Sequence, residues 1–164
     1  TGAWAIKLAE AGSDVTGVDS SETAVKQAER NALLNNLSEK CAFIRSDVFE
    51  FVKAEVAKGS RYDAIVLDPP AFVKSKANIK EGLKAYRELN ASCMKLLKDG
   101  GLFATSSCSF HVERLAFLDM LRSAARSAGK TGRILEVRSQ AKDHPIALAV
   151  PETEYLKCVI MAVD

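Results

Sequence analysis

The sequence predicts an α/β fold: a doubly wound, mostly parallel sheet with helices on both faces and an antiparallel strand at its end. Three observations carry this prediction. Strand-like and helix-like segments alternate along the whole chain. Tyr62–Leu67 and Leu102–Ser106 are apolar runs of the kind buried on both faces of a parallel sheet. The last two strand segments are separated only by 139–152, a stretch with two prolines and no helical stripe. That suits a hairpin-like antiparallel return better than another crossover.

Residues 3–11 (AWAIKLAEA) form a short amphipathic helix ended by Gly12, and Asp14–Asp19 is a strand with an acidic tip. Ser20 or Ser21 caps a helix over 22–36 whose stripe includes Val25, Ala28 and Ala32. Cys41–Arg45 is a short strand. The helix over 47–56 opens with Asp47 and Glu50 at the spacing of a cap and its third-residue partner. After the strand 62–67 and a loop begun by Asp68-Pro69-Pro70, a long helix spans 79–97, with Gly100-Gly101 as its stop. Strand 102–106 follows. Ser109 is placed to cap a helix that runs to Ala128 and closes at Gly129, and strands 133–138 and 155–163 complete the chain.

The 164 residues amount to one domain, and an apolar share of 48% with 27% charged excludes disorder and a disulfide scaffold. A net charge of +2 neither demands nor excludes a nucleic-acid partner, because a basic patch can hide in a neutral total. No apolar run approaches the ~20 residues of a membrane span. Residues 1–12 carry no secretory pattern. Cys41, Cys93, Cys108 and Cys158 contain no C-x-x-C pair, which argues against zinc. Disulfides are not expected, and the expected compartment is the cytoplasm.

One feature departs from the pattern. The chain opens with Thr1-Gly2 and enters a helix at once. In a doubly wound fold the glycine turn before the first helix follows a central strand, so that strand is expected upstream and residues 1–164 read as one N-terminally truncated domain.

Ligands of such sheets bind beyond the carboxyl ends of the strands. Asp19, Asp47, Asp68 and Cys108 stand just there. Asp19 lies 17 residues after Gly2. A carboxylate so placed accepts both hydroxyls of a ribose, with Ser20 beside it, although a helix-cap acid fits the same position. Asp47, followed by Val48, fits a capping box, and one free oxygen would also let it accept from an adenine amino group. Gly2 lets backbone approach a ligand closely.

Asp68-Pro69-Pro70-Ala71-Phe72 is the sharpest motif. Two prolines stiffen the turn, Asp68 can pair with a polar ring edge, and Phe72 can stack on a base. The bland alternative is a rigid loop with a buried Phe. In Ser106-Ser107-Cys108-Ser109-Phe110, Cys108 is placed between strand end and helix start, where exposed N–H groups and the helix dipole favour a thiolate. Cys41, Cys93 and Cys158 read as core thiols. His111 and His144 are weaker candidates, either of which fits the surface equally. Lys74, Lys76, Lys80, Lys84 and Arg87 follow the proline loop, the last three on one helix face that suits a phosphate backbone or simply solvent.

These residues, taken together as TGAWAIKLAEAGS, VTGVDSSETAV, RSDVFEF, LDPPAFVKSK, LLKDGG, LFATSSCS and AKDHP…PETEYLK, resemble class I S-adenosylmethionine-dependent RNA methyltransferases. They are most similar to the bacterial large-subunit ribosomal RNA cytosine-5 methyltransferase family. The resemblance covers essentially the whole chain. It implies a Rossmann-like doubly wound, mostly parallel sheet and S-adenosyl-L-methionine as cofactor. Gly2 would border the methionine part, Asp19 with Ser20 the ribose, and Asp47 with Val48 the adenine. Asp68 would orient the target cytosine beside the cofactor, and Cys108 would attack it. Pro69, Pro70, Phe72, Lys74 and His144 would meet the RNA. No metal is implied.

The chemistry explains the thiol. Carbon 5 of cytosine is a poor nucleophile until a thiolate adds at carbon 6, and the target must be unstacked to be reached. The likeness is incomplete: the first strand and the family's N-terminal RNA-binding domain are not in the sequence, and Ala71 stands where some relatives have a second cysteine. Two other readings stay open. One is nitrogen methylation of a guanine, which needs no thiol; the other is a non-catalytic nucleotide- or RNA-binding module.

Overall fold

All 164 residues, Thr1–Asp164, are described by a computed structural model. The chain divides into two units, Thr1–Glu55 and Val56–Asp164.

The first unit contains α1 (Ala3–Glu10), β1 (Val15–Asp19), α2 (Glu22–Leu34), β2 (Cys41–Arg45) and most of α3 (Val48–Lys58). β1 and β2 pair in parallel, Val15 opposite Cys41 and Asp19 opposite Arg45. Small residues let the helices sit close: Ala5, Ala9, Ala32 and Cys41 form the core, with Val15, Leu37 and Phe43 packed on it. Gly2 caps α1 at φ +76°, and a Cβ there would lie 2.9 Å from the Cβ of Ala28. A side chain at position 2 would be strained twice, by backbone and by α2. Of the two candidate serines, Ser21 caps α2, its Oγ accepting from Ala24 N.

The second unit holds β3 (Tyr62–Leu67), α4 (Ile79–Lys95), β4 (Leu97–Ser107), α5 (Arg114–Ala128), β5 (Gly132–Arg138) and β6 (Lys157–Val163). Its sheet order is β3-β4-β6-β5. β3 and β4 run parallel, and β6 is antiparallel to both of its neighbours. The antiparallel strand therefore lies one place in from the edge. β5 arrives after the α5 crossover with a strand-wide space between it and β4, and β6 returns to fill it. The alternating burial of β6 and the full exposure of β5 follow from these two places. The core comprises Tyr86, Leu89, Met94, Leu97, Phe103, Phe117, Leu121, Val159 and Val163, all nearly inaccessible.

Three expectations change. β3 is not buried on both faces: Asp63 and Ala64 are exposed, and only its carboxyl half turns inward. Gly100-Gly101 does not stop α4, which ends at Lys95. The glycines lie within β4, where Tyr62 faces Leu97 but Ala64 faces Leu102, so the intervening residues bulge. Gly100 has φ +76°, and a Cβ on Gly101 would lie 2.8 Å from the Lys98 carbonyl oxygen. α5 starts at Arg114, not after Ser109. No helix is long and apolar enough to cross a membrane.

Candidate active site

In the second unit, β3 and β4 end side by side. Leu67 faces Thr105 in the parallel register, which sets Asp68 next to Ser106. Ser106 Oγ donates to Asp68 Oδ1. Cys108 follows two residues later at the same end of the sheet, half-buried. The two residues assigned to chemistry thus leave adjacent strands, and Ser106 fixes the carboxylate of the first.

The loop after Asp68 is held from below. Pro69 is buried and Pro70 exposed. Tyr86, wholly inaccessible on α4, presents its hydroxyl to three partners: the Pro70 carbonyl at 3.4 Å, Phe72 N at 3.4 Å and Ser109 Oγ at 3.1 Å. Val73 N donates to the same Ser109 oxygen at 3.1 Å. The proline loop and the cysteine turn are therefore stitched together through one Tyr and one Ser. Phe72 rests its ring on that of Tyr86, centroids 4.7 Å apart, and stays half-exposed. Gly82 of α4 runs beneath: a Cβ there would lie 2.3 Å from Val73 Cγ2 and 3.0 Å from the Phe72 carbonyl oxygen. Asn90 continues the support, donating to the Tyr86 carbonyl and accepting from Thr105 Oγ1 at 2.7 Å.

Ser109 is therefore not a helix cap. Its hydroxyl serves the proline loop, and residues 109–113 form a turn, Val112 N donating to the Ser109 carbonyl at 3.0 Å. The N-terminus of α5 stands six residues beyond Cys108, so the macrodipole expected to favour a thiolate does not act on it directly. A different cation stands there. Lys157, buried at the start of β6, faces Ser107 in the antiparallel register and donates from Nζ to the Ser109 and Tyr155 carbonyls, each at 2.6 Å. Burial pulls its ammonium below the ordinary lysine value; the Cys108 thiolate and the Glu154 carboxylate oppose that. Beside this turn lies an open cavity of about 510 Å³ bordered by Phe110, His111, Arg114, Leu156 and Lys157. His111 meets Phe110 edge-on, centroids 5.3 Å apart.

Cys41 and Cys93 are buried, whereas Cys158, expected in the core, is half-buried like Cys108. Burial pushes the Cys93 thiol up to about 12 and raises Cys41 and Cys158 as well. Lys74 is exposed and borders a second cavity of about 360 Å³ with Phe72, Asn78 and Gly82. His144 lies in the exposed 139–152 segment, where its Nδ1 is 3.2 Å from Asp143 Oδ1, and that partner holds the Asp143 carboxyl below its usual range. Nothing ties His144 to the Cys108 turn.

In the first unit, Asp19 and Asp47 follow neighbouring parallel strands at their carboxyl ends, both exposed. Asp19 Oδ1 accepts from Ser21 N at 2.8 Å. Asp47 Oδ1 accepts from Phe49 N at 2.9 Å and Glu50 N at 3.2 Å, as a cap does. Each carboxylate keeps its second oxygen open. Ser20 is exposed beside Asp19, and Val48 is half-buried at the first turn of α3. No three His, Cys, Asp or Glu side chains come together in a metal-binding group.

Tyr86 and Lys157 escaped the sequence reading. The first is one aromatic in an amphipathic helix and the second one lysine before an apolar strand; only long-range pairing reveals what they touch.

Comparison with known proteins agrees with this architecture. Ribosomal RNA large subunit methyltransferase I of Aeromonas salmonicida is 41% identical over 163 residues, 98% of this chain and 41% of that protein. The protein of the same name from Escherichia coli O139:H28 is 36% identical over 159 residues, 96% of this chain and 40% of its own. The chain thus spans about two fifths of the curated relatives it matches. Among solved structures, SMU.776 complexed with SAH superposes with a TM-score of 0.76 at 20% identity, over 90% of this chain and 38% of that one. A SAM-dependent methyltransferase from Agrobacterium tumefaciens gives 0.63 at 24% identity, over 94% and 50%. The family described as methyltransferase domain matches residues 1–148, and the chain belongs to that family.

Proposed function

We propose that this chain forms the catalytic part of an enzyme that transfers methyl groups from S-adenosyl-L-methionine to carbon 5 of a cytosine in large-subunit ribosomal RNA. The observation that carries the reading is the pairing of ends: a carboxylate fixed by Ser106 and a half-buried thiol leave adjacent parallel strands at one edge. The names of the relatives support the coarser part of the reading, methyl transfer to large-subunit ribosomal RNA.

The cofactor fits residues of the first unit. The open oxygens of Asp19 and Asp47 suit ribose hydroxyls and an adenine amino group, with Ser20 and Val48 beside them, and the side-chain-free Gly2 suits the methionine part. When bound, S-adenosylmethionine supplies an electrophilic methyl on a sulfonium.

The protein supplies the rest. The Cys108 thiolate forms a bond to carbon 6 of the cytosine, and the electron pair of the 5,6 double bond moves toward the ring edge that Asp68 holds. Carbon 5 would then take the methyl as its bond to the sulfonium breaks, leaving S-adenosylhomocysteine as a neutral thioether. A base removes the carbon-5 proton, the double bond returns, and the carbon–sulfur bond breaks to release the thiolate. Phe72, Pro69 and Pro70 border the base, with Lys74 and His144 toward the strand. Because the target is extruded from its stack, the aromatic face of Phe72 replaces part of what it loses.

The test is product analysis. Full-length protein should leave 5-methylcytidine in digested ribosomal RNA, and Cys108→Ala should leave none. Methylation that survives Cys108→Ala would point to transfer to nitrogen.

A further inference from the structure

The Cys108 turn has an unusual partner. Lys157 touches the residues on both sides of the cysteine: it faces Ser107 across the β4–β6 register and donates to the Ser109 carbonyl. Its second bond, to the Tyr155 carbonyl, anchors the ammonium to its own strand. The side chain is 7% exposed, so water screens its charge little. A buried ammonium with two carbonyl partners and no carboxylate bonded to it carries uncompensated positive charge.

From this geometry we infer that Lys157 is the positioning residue of the nucleophile, holding the 107–109 turn in place and stabilising the thiolate form of Cys108. The inference deepens the proposed cytosine chemistry and rests on Cys108 being its nucleophile. It replaces the helix dipole, which begins too far away. The Cys108 thiolate in turn opposes the fall of the Lys157 ammonium. The other charged or titratable groups around the turn are Tyr86 of α4, bonded to Ser109, Asp68 at the end of β3, His111 and Glu113 in the turn, Arg114 at the start of α5, Lys76 before α4, and Glu154. Glu154 is the competitor for Lys157, but it is exposed and 3.6 Å from Arg114, which occupies it.

The experiment reads thiol reactivity. Full-length protein without RNA is alkylated with iodoacetamide across a pH series, and each cysteine peptide is followed by mass spectrometry. Lys157→Gln keeps a donor for a carbonyl but removes the charge. It should slow alkylation of Cys108 about tenfold near neutral pH and move its pH–rate profile about one unit upward, as loss of a close opposite charge does. Lys157→Arg should stay near wild type. Cys158 points to the other face of β6 and serves as the internal reference. An unchanged Cys108 profile in a folded Lys157→Gln protein overturns the inference. If Lys157→Gln fails to fold, shown by alkylation of the buried Cys93, wild type decides: Cys108 should react at lower pH in native protein than in urea, and equal profiles overturn the inference. No RNA is present, so a failed methylation with an intact profile shift would remove the cytosine reading and leave the Lys157–Cys108 pair standing.

Discussion

The hydroxyls of Tyr86 and Ser109 stand 3.1 Å apart, and through them the proline loop after β3 is joined to the cysteine turn after β4. Tyr86 comes from the middle of a helix and Ser109 from a turn, so the two loops share one buried polar knot. Polar groups in such a knot are costly to leave without partners.

Tyr86→Phe removes only the shared hydroxyl. The Ser109 hydroxyl keeps Val73 N, while the Pro70 carbonyl and Phe72 N each lose the bond to Tyr86. Thermal or urea unfolding should show a loss of about 1–3 kcal/mol. Methyl transfer should fall more than RNA affinity does, because the loops persist but their relative setting loosens. Unchanged stability and turnover would show that the knot is incidental.

Asp19 and Asp47 separate in calorimetry. Asp19→Ala should weaken S-adenosylhomocysteine binding by about tenfold or more, since one of its carboxylate oxygens is open for the ribose. Asp47→Ala should also cost about 1 kcal/mol of stability, because its other oxygen caps α3 at Phe49 N and Glu50 N. Equal affinity in Asp19→Ala would remove that residue from the cofactor site.

Stability should fall in alkali, partly through Cys93. Its folded thiol is pushed up to about 12 by burial, whereas an unfolded thiol ionises near 9.0. Above pH 9 the unfolded chain releases a proton that the native one keeps, so this contribution is complete below pH 9 and is lost as pH rises toward 12. The slope is on the order of 1 kcal/mol per pH unit. Cys41 and Cys158 act with the same sign. Lys157 acts oppositely, since its lowered native value makes stability rise as pH approaches 10.5. Urea titrations of wild type and Cys93→Ala at pH 8.5 and 10.5 isolate the Cys93 share: the variant, less stable at pH 8.5 because of its cavity, should lose less between the two. Parallel losses would contradict this assignment.

Much of this architecture is legible in the residues. Apolar spacing and apolar runs located the five α-helices and six strands, though not the ends of α4, β4 and α5, because burial of a face writes itself into local spacing. The D-P-P-A-F and S-S-C-S segments marked the strand ends for the same reason: proline, glycine and small polar residues punctuate. What stayed hidden was long-range. Whether Gly100-Gly101 ends a helix or bulges a strand depends on the register with Tyr62 and Ala64. Ser109 has the chemistry of a cap, and only its distance from Arg114 and its contact with Val73 show that it is none. The place of β6 between β4 and β5 is a matter of pairing, not of local pattern. Tyr86 and Lys157 look ordinary until their partners are seen.

The central claim concerns one covalent bond. RNA carrying 5-fluorocytosine at its target blocks the final proton removal, so the adduct should persist. Full-length protein incubated with this RNA and S-adenosylmethionine should yield a denaturation-resistant complex whose digested peptide carries the methylated fluorocytosine on Cys108. No complex, with ordinary RNA still methylated by the same preparation, would contradict attack by this thiol.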